Sequence, residues 1–462
     1  MLKGKKVLLL NPPAGDEMVI KDQYCSFTSK GNYYWIPIDL LILSGDLSRN
    51  FTIEVIDAIV EPLGEDELVC RIKTFSPDHI VILSSLLTHK IDREFIAKLK
   101  ERGLTFKTTF LGDIFYFKSE VMINYDEVDS IVYEYPAPEL SDYILAGQAK
   151  ENMVFKDEFG EIVTTQKRGG RYVSYSTPRH ELFPLRKYSV PFMIGDVVSS
   201  ILTNFGCTYT CNYCPASSVE YRQRTTEEFE EELSYLKSIG VSNLWIRDFT
   251  FGLDPKATNT ILEIIKRYNI SWFGLTRAER INDRFLIKLR ESGCYLLMIG
   301  VDTVKDSSIG SLKRKQRTDV LRGNINKVAE YKILVLVHLI LGIPGETIID
   351  MVRSIHFCAS TKASFISINF FSKRSGSSYF DNESINFTNR KTLDSLYFEN
   401  GDKGSCLLVF LNLYALFIFY LRPLRILRIL SNVKTRRLLV NILKTGFLHI
   451  LKLVRINRKI SQ

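Results

Sequence analysis

Cysteine is scarce in this sequence, with eight residues among 462. That number is too small for a scaffold built on disulfide bonds. The sequence also lacks a long apolar segment near residue 1, because the apolar stretch at 7–10 is only four residues long and ends at Asn11-Pro12-Pro13. A signal peptide needs a longer apolar region. We therefore expect a reducing cytoplasmic location, where cysteines serve as metal ligands or core residues.

Glycine and proline are not enriched, with 26 and 14 residues, so a collagen-like or low-complexity chain is excluded. Hydrophobic residues make up 45% of the chain and charged residues 24%. This composition is apolar enough for a sizeable core. At about 150 residues per domain, the length predicts two or three domains.

Acidic residues are absent from the last part of the sequence. Residues 403–462 contain 12 Lys and Arg and no Asp or Glu, whereas the first 402 residues hold 49 basic and 52 acidic residues. The net charge of +9 therefore belongs to the tail, and the body is nearly neutral. Such asymmetry indicates a specialised tail and not a generally nucleic-acid-binding protein.

Strand and helix patterns alternate in the first third of the chain. Apolar strand patterns at 6–11, 51–56, 79–83 and 107–111 are separated by helical patterns at 37–47, 65–74 and 92–102. This alternation predicts a parallel sheet covered by helices, a Rossmann-like domain over residues 1–147. Residues 148–194 are rich in glycine and proline and are predicted to be a linker.

A second alternating series occupies residues 195–385. It contains six strand–helix units, with helix starts at Thr225 and at Asp254-Pro255. Six units are too few for an eight-stranded barrel, so we predict an open, partial (βα)6 barrel with its chemistry at the carboxyl ends of the strands. Residues 386–462 are predicted to be a helical, basic tail.

Three cysteines stand together after the first strand of this series, in Gly206-Cys207-Thr208-Tyr209-Thr210-Cys211-Asn212-Tyr213-Cys214-Pro215. Three thiolates at C-x3-C-x2-C spacing can hold three corners of an iron–sulfur cube. A structural zinc site is the alternative, but it needs four ligands, and the nearest histidine is His180. The other five cysteines are scattered and are expected to be core residues.

The sequence resembles the radical S-adenosylmethionine (SAM) superfamily, in particular its branch with a cobalamin-binding domain, such as the anaerobic magnesium-protoporphyrin cyclase and hopanoid-type enzymes. Besides the cysteine loop, the resemblance covers about residues 5–385. The matching segments are Thr177-Pro178-Arg179-His180, Tyr188 with Pro191-Phe192, Asp248-Phe249-Thr250-Phe251, Thr276-Arg277-Ala278-Glu279, Ser292-Gly293-Cys294, Ile299-Gly300-Val301-Asp302 and Gly342-Ile343-Pro344-Gly345-Glu346-Thr347.

The resemblance implies that Cys207, Cys211 and Cys214 hold a [4Fe–4S] cluster whose fourth iron binds SAM. It also implies a reductive cleavage of SAM to a 5′-deoxyadenosyl radical, with the electron supplied by a flavodoxin or ferredoxin type of donor. The residues expected at the SAM site are Tyr213, Asp248, Arg277, Gly300, Asp302 and Gly342. The resemblance names no catalytic side chain.

Several of these residues have a structural interpretation as well. Asp302 stands where the family has glutamate, and Asp248, Arg277 and Asp302 each suit an ordinary ion pair. Gly300 and Gly342 each suit a turn at a strand end. Glu346 is expected to cap the helix that follows it.

The resemblance leaves cobalamin open for the first domain. Asn11-Pro12-Pro13, Val55-Ile56-Asp57 and Ser76-Pro77-Asp78 match the cobalamin-binding domain. However, no D-x-H-x-x-G motif is present, the usual Gly-Gly is Gly112-Asp113, and the G-E-x-E loop is Glu134-Tyr135-Pro136-Ala137. The domain either binds cobalamin or forms a shell that shapes the substrate pocket of the barrel.

The tail allows three interpretations. Leucine and isoleucine alternate with basic residues after an apolar stretch at 406–421, which is too short to span a membrane. A peripheral position on an anionic membrane is one interpretation, helices that cover the barrel are the second, and nucleic-acid contact is the least favoured.

These observations predict a radical SAM enzyme, a methyltransferase or another enzyme of radical C–H functionalisation, that acts on an unactivated carbon of an apolar or membrane-associated small molecule. A non-catalytic iron–sulfur or scaffold protein that retains the fold is the alternative.

Overall fold

The computed structural model describes residues 4–15, 18–134, 136–380, 401–432 and 435–460. The predicted boundary between barrel and tail at 385/386 lies outside the described residues, and so does Tyr135 of the loop at 134–137.

The first domain is built on a seven-stranded sheet with the order β4-β1-β5-β6-β7-β8-β9. Its strands are β1 (Lys6–Asn11), β4 (Thr52–Asp57), β5 (His79–Leu83), β6 (Lys107–Leu111), β7 (Ser130–Val132), β8 (Met153–Lys156) and β9 (Ile162–Thr164). The first five are parallel, and β8 and β9 are antiparallel. The Rossmann-like prediction is therefore confirmed.

Residues 153–164 form two strands where the sequence predicted a linker. They lie in the segment 148–194, which was predicted to be a linker, yet β8 pairs with β7 and β9 pairs with β8. The strands are short and lie between turns, so their pairing depends on a sheet edge that no local pattern indicates.

Helices of the first domain flank this sheet, and a β-hairpin lies after β1. The helices are α1 (Ile38–Leu47), α2 (Glu65–Phe75), α3 (His89–Glu101), α4 (Asp113–Phe117), α5 (Ser119–Met122) and α6 (Leu140–Ala146). The hairpin, which the sequence analysis did not predict, pairs β2 (Val19–Asp22) with β3 (Cys25–Thr28).

The barrel is a six-stranded parallel sheet in sequential order, as predicted. Its strands are β11 (Val198–Ile201), β14 (Asn243–Ile246), β15 (Ser271–Thr276), β16 (Cys294–Asp302), β17 (Leu334–Leu341) and β18 (Phe365–Phe370). A small sheet of β10 (Tyr172–Val173), β13 (Arg222–Arg224) and β12 (Asn204–Phe205) lies beside the first barrel strand.

Helices follow the barrel strands, and four of the six helices below begin at a side-chain cap. They are α7 (Thr226–Ser238), α8 (Pro255–Tyr268), α9 (Asp283–Glu291), α10 (Asp306–Ser311), α11 (Thr318–Glu330) and α12 (Ile348–Ser360). The Thr225 side chain accepts from the Glu228 N–H, and the Asp254 side chain accepts from the N–H groups of Lys256 and Ala257, as the sequence predicts.

The tail forms three helices against the barrel: α13 (Gly401–Tyr420), α14 (Pro423–Asn432) and α15 (Arg436–Ile460). Leu411, Ala415 and Phe419 of α13 join the apolar core between the barrel strands and their helices. The interpretation of the tail as helices that cover the barrel therefore fits part of its surface.

A buried ion pair connects the barrel to the segment before it. The Glu232 carboxylate accepts from Arg224 (2.5 Å) and contacts His180 Nε2 (2.9 Å), and all three side chains are buried. His180 Nδ1 lies 2.8 Å from Ser199 Oγ in β11. His180, the histidine nearest to the cysteine loop along the sequence, therefore belongs to this network.

We expect Glu232→Gln to lower the free energy of unfolding by about 3 kcal/mol, because it leaves the buried Arg224 charge without its partner. Urea denaturation followed by tryptophan fluorescence measures this change. Glu230→Gln on the same helix removes an exposed pair with Arg267 and should cost less than about 1 kcal/mol. Equal losses for the two variants would contradict a stabilising role of the buried pair.

Candidate active site

The cysteine loop leaves the barrel at Gly206, which turns the chain sharply after β12. Gly206 has φ +65°, and a Cβ at this position would lie 2.4 Å from the carbonyl oxygen of Glu220. Only glycine fits this turn. The loop then closes on itself, since the Cys214 N–H donates to the Cys211 carbonyl oxygen at 3.1 Å.

The three cysteines line one cavity of about 400 Å³ at the carboxyl end of the barrel. Cys211 is buried, and Cys207 and Cys214 are half-buried. Burial raises the pKa of the Cys214 thiol to about 12, and the neighbouring Cys211 and Cys207 also raise it. Binding of a metal group at this thiol therefore has to displace a proton.

Arg277 lies directly against the cysteine loop. Its guanidinium approaches the Cys211 sulfur at 3.4 Å, stacks on the Tyr209 ring at 3.9 Å and donates to the Arg314 carbonyl oxygen at 2.6 Å. Glu279 balances its charge at 3.1 Å. The arrangement places a fixed positive charge and an N–H donor beside one cysteine sulfur.

Asp302 is tied into a buried cluster with Tyr213 and Arg314. Its Oδ2 accepts from the Tyr213 hydroxyl at 2.5 Å and pairs with Arg314 Nε at 2.8 Å. Asp302 has φ +57° at an irregularity in the pairing of β16 with β17. A left-handed aspartate is strained, so the surrounding contacts hold it in place.

The other three residues expected at the SAM site, Gly300, Gly342 and Asp248, lie in different places. Gly300 lines the cysteine cavity, and its carbonyl accepts from Arg314 at 2.7 Å. Gly342 does not line that cavity. Asp248 lines a second cavity instead, where it accepts from the Thr203 N–H (2.8 Å) and the Asn204 side chain (2.8 Å). Burial raises the Asp248 pKa to about 7.

The expected role of Glu346 is wrong. The cap of α12 is a reciprocal pair between Thr347 and Asp350. The Glu346 carboxylate accepts from the Thr303 hydroxyl. Thr347 stands one residue closer to the helix and offers the same hydrogen bond with a shorter side chain, so it takes the capping position.

The cysteine loop offers the donor set of an iron–sulfur cluster. Its three free thiols line one cavity. A structural zinc site would need a fourth ligand. A cube places each thiolate on a different iron, so its ligands surround a volume and not a point. The residues present therefore fit three ligands of a [4Fe–4S] cluster.

The second cavity, of about 520 Å³, lies inside the barrel beside the first. Trp35, Trp245, Phe273, Met298 and Phe365 give it an apolar wall. The hairpin of the first domain and α15 of the tail complete this wall. The chamber is therefore suited to an apolar molecule.

The carboxyl edge of the first sheet is occupied by the chain's own side chains. Lys21 of the hairpin is fully buried there, donates to the Leu83 carbonyl oxygen at 3.0 Å and pairs with Asp92 at 3.1 Å. The hydroxyl groups of Ser84 and Thr88 also donate to the Asp92 carboxylate. Such a satisfied buried network resists displacement.

Asp113, which replaces the second glycine of the cobalamin-domain pattern, belongs to the same edge. Its carboxylate accepts from the Leu86 N–H at 2.7 Å and from the Ser26 hydroxyl at 2.8 Å. The side chain thus fills the space that a glycine would leave for a ligand. The residues at this edge do not fit a corrinoid.

Three residues that line the cysteine cavity were not predicted from the sequence. Arg314 lies between Lys313 and Lys315 and resembles part of a solvated charge run, yet it is buried against Asp302. Lys30 and Arg374 also line the cavity. Both follow sequence stretches without a motif, so no local signal identifies them.

The tail combines contacts to the barrel with an exposed apolar surface. Arg425, one of the basic residues of the tail, is buried and donates to the carbonyl oxygens of Ala359 (2.7 Å) and Thr361 (2.8 Å), because helix-terminal carbonyls attract a guanidinium. Exposed large apolar side chains on these helices include Phe417, Leu421, Leu424, Leu427, Leu443 and Phe447.

Among the described helices, none is by itself long and apolar enough to cross a membrane. The pair Cys406–Tyr420 and Pro423–Ser431 meets the length and composition criteria together, with a bend of 71° between its halves.

Comparisons with known proteins agree with this geometry. Residues 201–358 match the model of the radical SAM superfamily. An uncharacterized methyltransferase of Pyrococcus horikoshii is 24% identical over 375 residues, which are 77% of this chain and 78% of the relative.

Two solved structures share the fold. The radical SAM methyltransferase TsrM from Kitasatospora setae, with cobalamin and a [4Fe–4S] cluster bound, has a TM-score of 0.64 at 18% identity and covers 81% of this chain and 76% of its own. The cobalamin-dependent SAM radical enzyme OxsB, with aqua-cobalamin bound, has a TM-score of 0.61 at 16% identity, with coverages of 86% and 56%.

The segment that matches the family model contains the cysteine loop, Arg277, Asp302 and the strands β14 to β17 around the cavity. Residues 201–358 are therefore a radical SAM domain, which is typical of enzymes of the radical SAM class.

Proposed function

We propose that this enzyme functionalises an unactivated carbon of an apolar small molecule by radical SAM chemistry. The observation that carries the proposal is the junction of the cysteine cavity with a chamber walled by Trp35, Trp245 and Phe273. Transfer of a methyl group, which the methyltransferase relative favours, would need a methyl carrier such as cobalamin. Without a carrier, the outcome would be oxidation, rearrangement or formation of a carbon–carbon bond. A scaffold protein would have no need of an apolar chamber beside its cluster ligands.

Cys207, Cys211 and Cys214 would hold the [4Fe–4S] cluster. When bound, the cluster and SAM supply the one-electron cleavage of SAM and the 5′-deoxyadenosyl radical that removes a hydrogen atom from the substrate. The electron would come from a flavodoxin or ferredoxin type of donor. Arg277 holds the Cys211 sulfur from one side, and the apolar chamber excludes water from the reacting carbon.

Tyr213, Arg277, Gly300 and Asp302 would form the SAM site, because all four line the cysteine cavity. Arg314 would keep Tyr213 and Asp302 in position through its two contacts. Asp248 would be a structural carboxylate, since Thr203 and Asn204 already satisfy it. Gly342 would be a strand-end turn.

The first domain would act as a shell and not as a cobalamin carrier. Its hairpin contributes Cys25, Ser26 and Phe27 to the wall of the cysteine cavity, while Lys21 and Asp113 fill the sheet edge. The domain thus closes the open end of the barrel and shapes the substrate pocket.

The tail would place the enzyme on an anionic membrane surface. Leu424 is 75% exposed, and Arg422, Arg436 and Arg437 stand exposed on the same helical tail. Exposed apolar side chains with basic neighbours suit the boundary between lipid headgroups and acyl chains. An apolar substrate could then reach the chamber from the bilayer.

Cys211→Ala should abolish the formation of 5′-deoxyadenosine and lower bound iron, because two thiolates cannot hold a cube in place. Anaerobic reconstitution followed by iron analysis and chromatography of SAM products measures both. Cys70→Ala changes an exposed cysteine outside the cavity and should leave both unchanged. Cleavage of SAM by the Cys211→Ala variant would contradict the proposal that this enzyme cleaves SAM with a cluster held by the three cysteines.

Hydroxocobalamin should not bind to the reconstituted full-length protein, because the edge of the first sheet is filled by Lys21 and Asp113. Gel filtration of the mixture, with absorbance of the corrinoid followed across the protein peak, measures binding. Serum albumin run in parallel gives the level of nonspecific retention. One corrinoid per chain in the protein peak would contradict the role of the first domain as a shell.

The double variant Leu424→Glu, Leu427→Glu should lower affinity for phosphatidylglycerol vesicles by more than about tenfold, because each leucine loses its burial in lipid. Vesicle co-sedimentation measures this. Phe159→Glu changes an apolar side chain that is 82% exposed in the first domain and should have no effect. Equal vesicle binding by wild type and the double variant would contradict the proposal that the tail binds a membrane.

A further inference from the structure

The two cavities share a wall, and three titratable side chains stand in it: Cys25, Lys30 and His338. Lys30 and His338 line both the cysteine cavity and the apolar chamber, together with Phe27, Phe249 and Asn369. A molecule in the chamber that extends toward the cysteines must pass these polar groups. They are therefore placed to bind the polar end of such a molecule.

Lys30 is a half-buried cation that is paired only with neutral acceptors. Its Nζ donates to the Ile368 carbonyl oxygen (2.5 Å), Asn369 Oδ1 (2.8 Å) and Ser367 Oγ (3.2 Å). Within the part of the chain that the structure describes, no carboxylate forms an ion pair with it. Burial, with a further contribution from Arg374, lowers the Lys30 pKa to about 7. An anion bound at this site would offset the free energy that burial of the Lys30 charge costs.

His338 offers an unused hydrogen-bonding atom beside Lys30. It lies in β17, and its buried Nε2 has no hydrogen-bond partner among the described residues. Burial and the nearby Lys30 lower its pKa to about 4, so the ring is neutral at pH 7. A buried polar atom without a partner is rare in folded proteins and points to a ligand that completes it.

The last helix of the tail fixes the loop that carries Lys30. A Cβ on Gly31 would lie 2.7 Å from Thr445 Cγ2, so loop and helix are in close contact. His449 Nδ1 lies 3.3 Å from the Lys30 carbonyl oxygen, and Lys452 donates to the Ser29 carbonyl oxygen at 3.3 Å. Lys30 is thus held by contacts on both sides and is preorganised for a ligand.

We propose that Lys30 and His338 bind the anionic oxygen group of an amphiphilic substrate whose apolar body occupies the chamber of Trp35, Trp245 and Phe273. The inference rests on the proposed function in taking this chamber as the substrate site. A carboxylate and a phosphate share the required chemistry. Each offers a negative charge to the Lys30 ammonium, with an oxygen that takes the place of Ser367 Oγ, the longest of its three contacts, and an acceptor to a protonated nitrogen of His338.

The test compares three probes of equal chain length: dodecanoate, dodecyl phosphate and dodecanol. Calorimetric titration of the reconstituted full-length protein should show at least one anionic probe bound about tenfold more tightly than dodecanol. Which anion binds better distinguishes a carboxylate from a phosphate substrate. Two of the three tryptophans of the chain line the chamber, so a change in tryptophan fluorescence reports binding there.

Lys30→Met should remove the preference for the anions and leave the affinity for dodecanol unchanged. Retained dodecanol binding also shows that the chamber is still folded. Lys30→Arg keeps the charge and should keep the preference, whereas Lys256→Met, at an exposed position on α8, should behave as wild type. His338→Leu should weaken binding of the anions and spare dodecanol.

Equal binding of dodecanol and both anions to wild type would overturn the inference, and so would an anion preference that persists in Lys30→Met. These outcomes do not depend on catalysis. Absence of 5′-deoxyadenosine with an intact cluster would count against the proposed function alone, because the binding experiment requires no turnover.

Discussion

A six-stranded barrel does not close on itself, and this constraint organises the rest of the molecule. Its strands leave an apolar interior that water would enter through the gap between β11 and β18. Trp35 from the first domain packs edge-on against Trp245 inside the barrel, with 4.7 Å between ring centroids. Tail residues Ile429 and Leu438 belong to the same apolar core as Phe273 and Phe365. Three parts of the chain therefore enclose one interior.

The enclosure also explains how charge is distributed around the site. Arg247 pairs with Asp22 of the hairpin and lies against the rings of Trp35 and Trp245, so it joins the first domain to the barrel without exposing either charge. Arg277 is balanced by Glu279, and Arg314 by Asp302. Lys30 and Arg374 lack a counterpart of this kind among the described residues, and of these two only Lys30 lines both cavities.

Local sequence patterns were sufficient for the two alternating series of strands and helices, the helix caps at Thr225 and Asp254, and the placement of three cysteines on one loop. Hydrophobic alternation and capping residues act over a few positions, so a single sequence shows them. They were not sufficient for side-chain partners. Asp248 and Asp302 look alike at strand ends, yet one is satisfied by Thr203 and Asn204 and the other by Arg314 and Tyr213. Such choices depend on contacts far apart in the chain, as do the pairing of β8 with β7 and the burial of Arg425.

The close contact between Gly31 and Thr445 joins residues that are separated by most of the chain. A ribosome synthesises the cysteine loop long before it reaches α15. The nascent chain therefore carries its cysteine loop while the loop of Lys30 still lacks its support, and the wall of the apolar chamber is completed only after α15 has been synthesised. A cluster inserted during that interval would have an open route to the three cysteines.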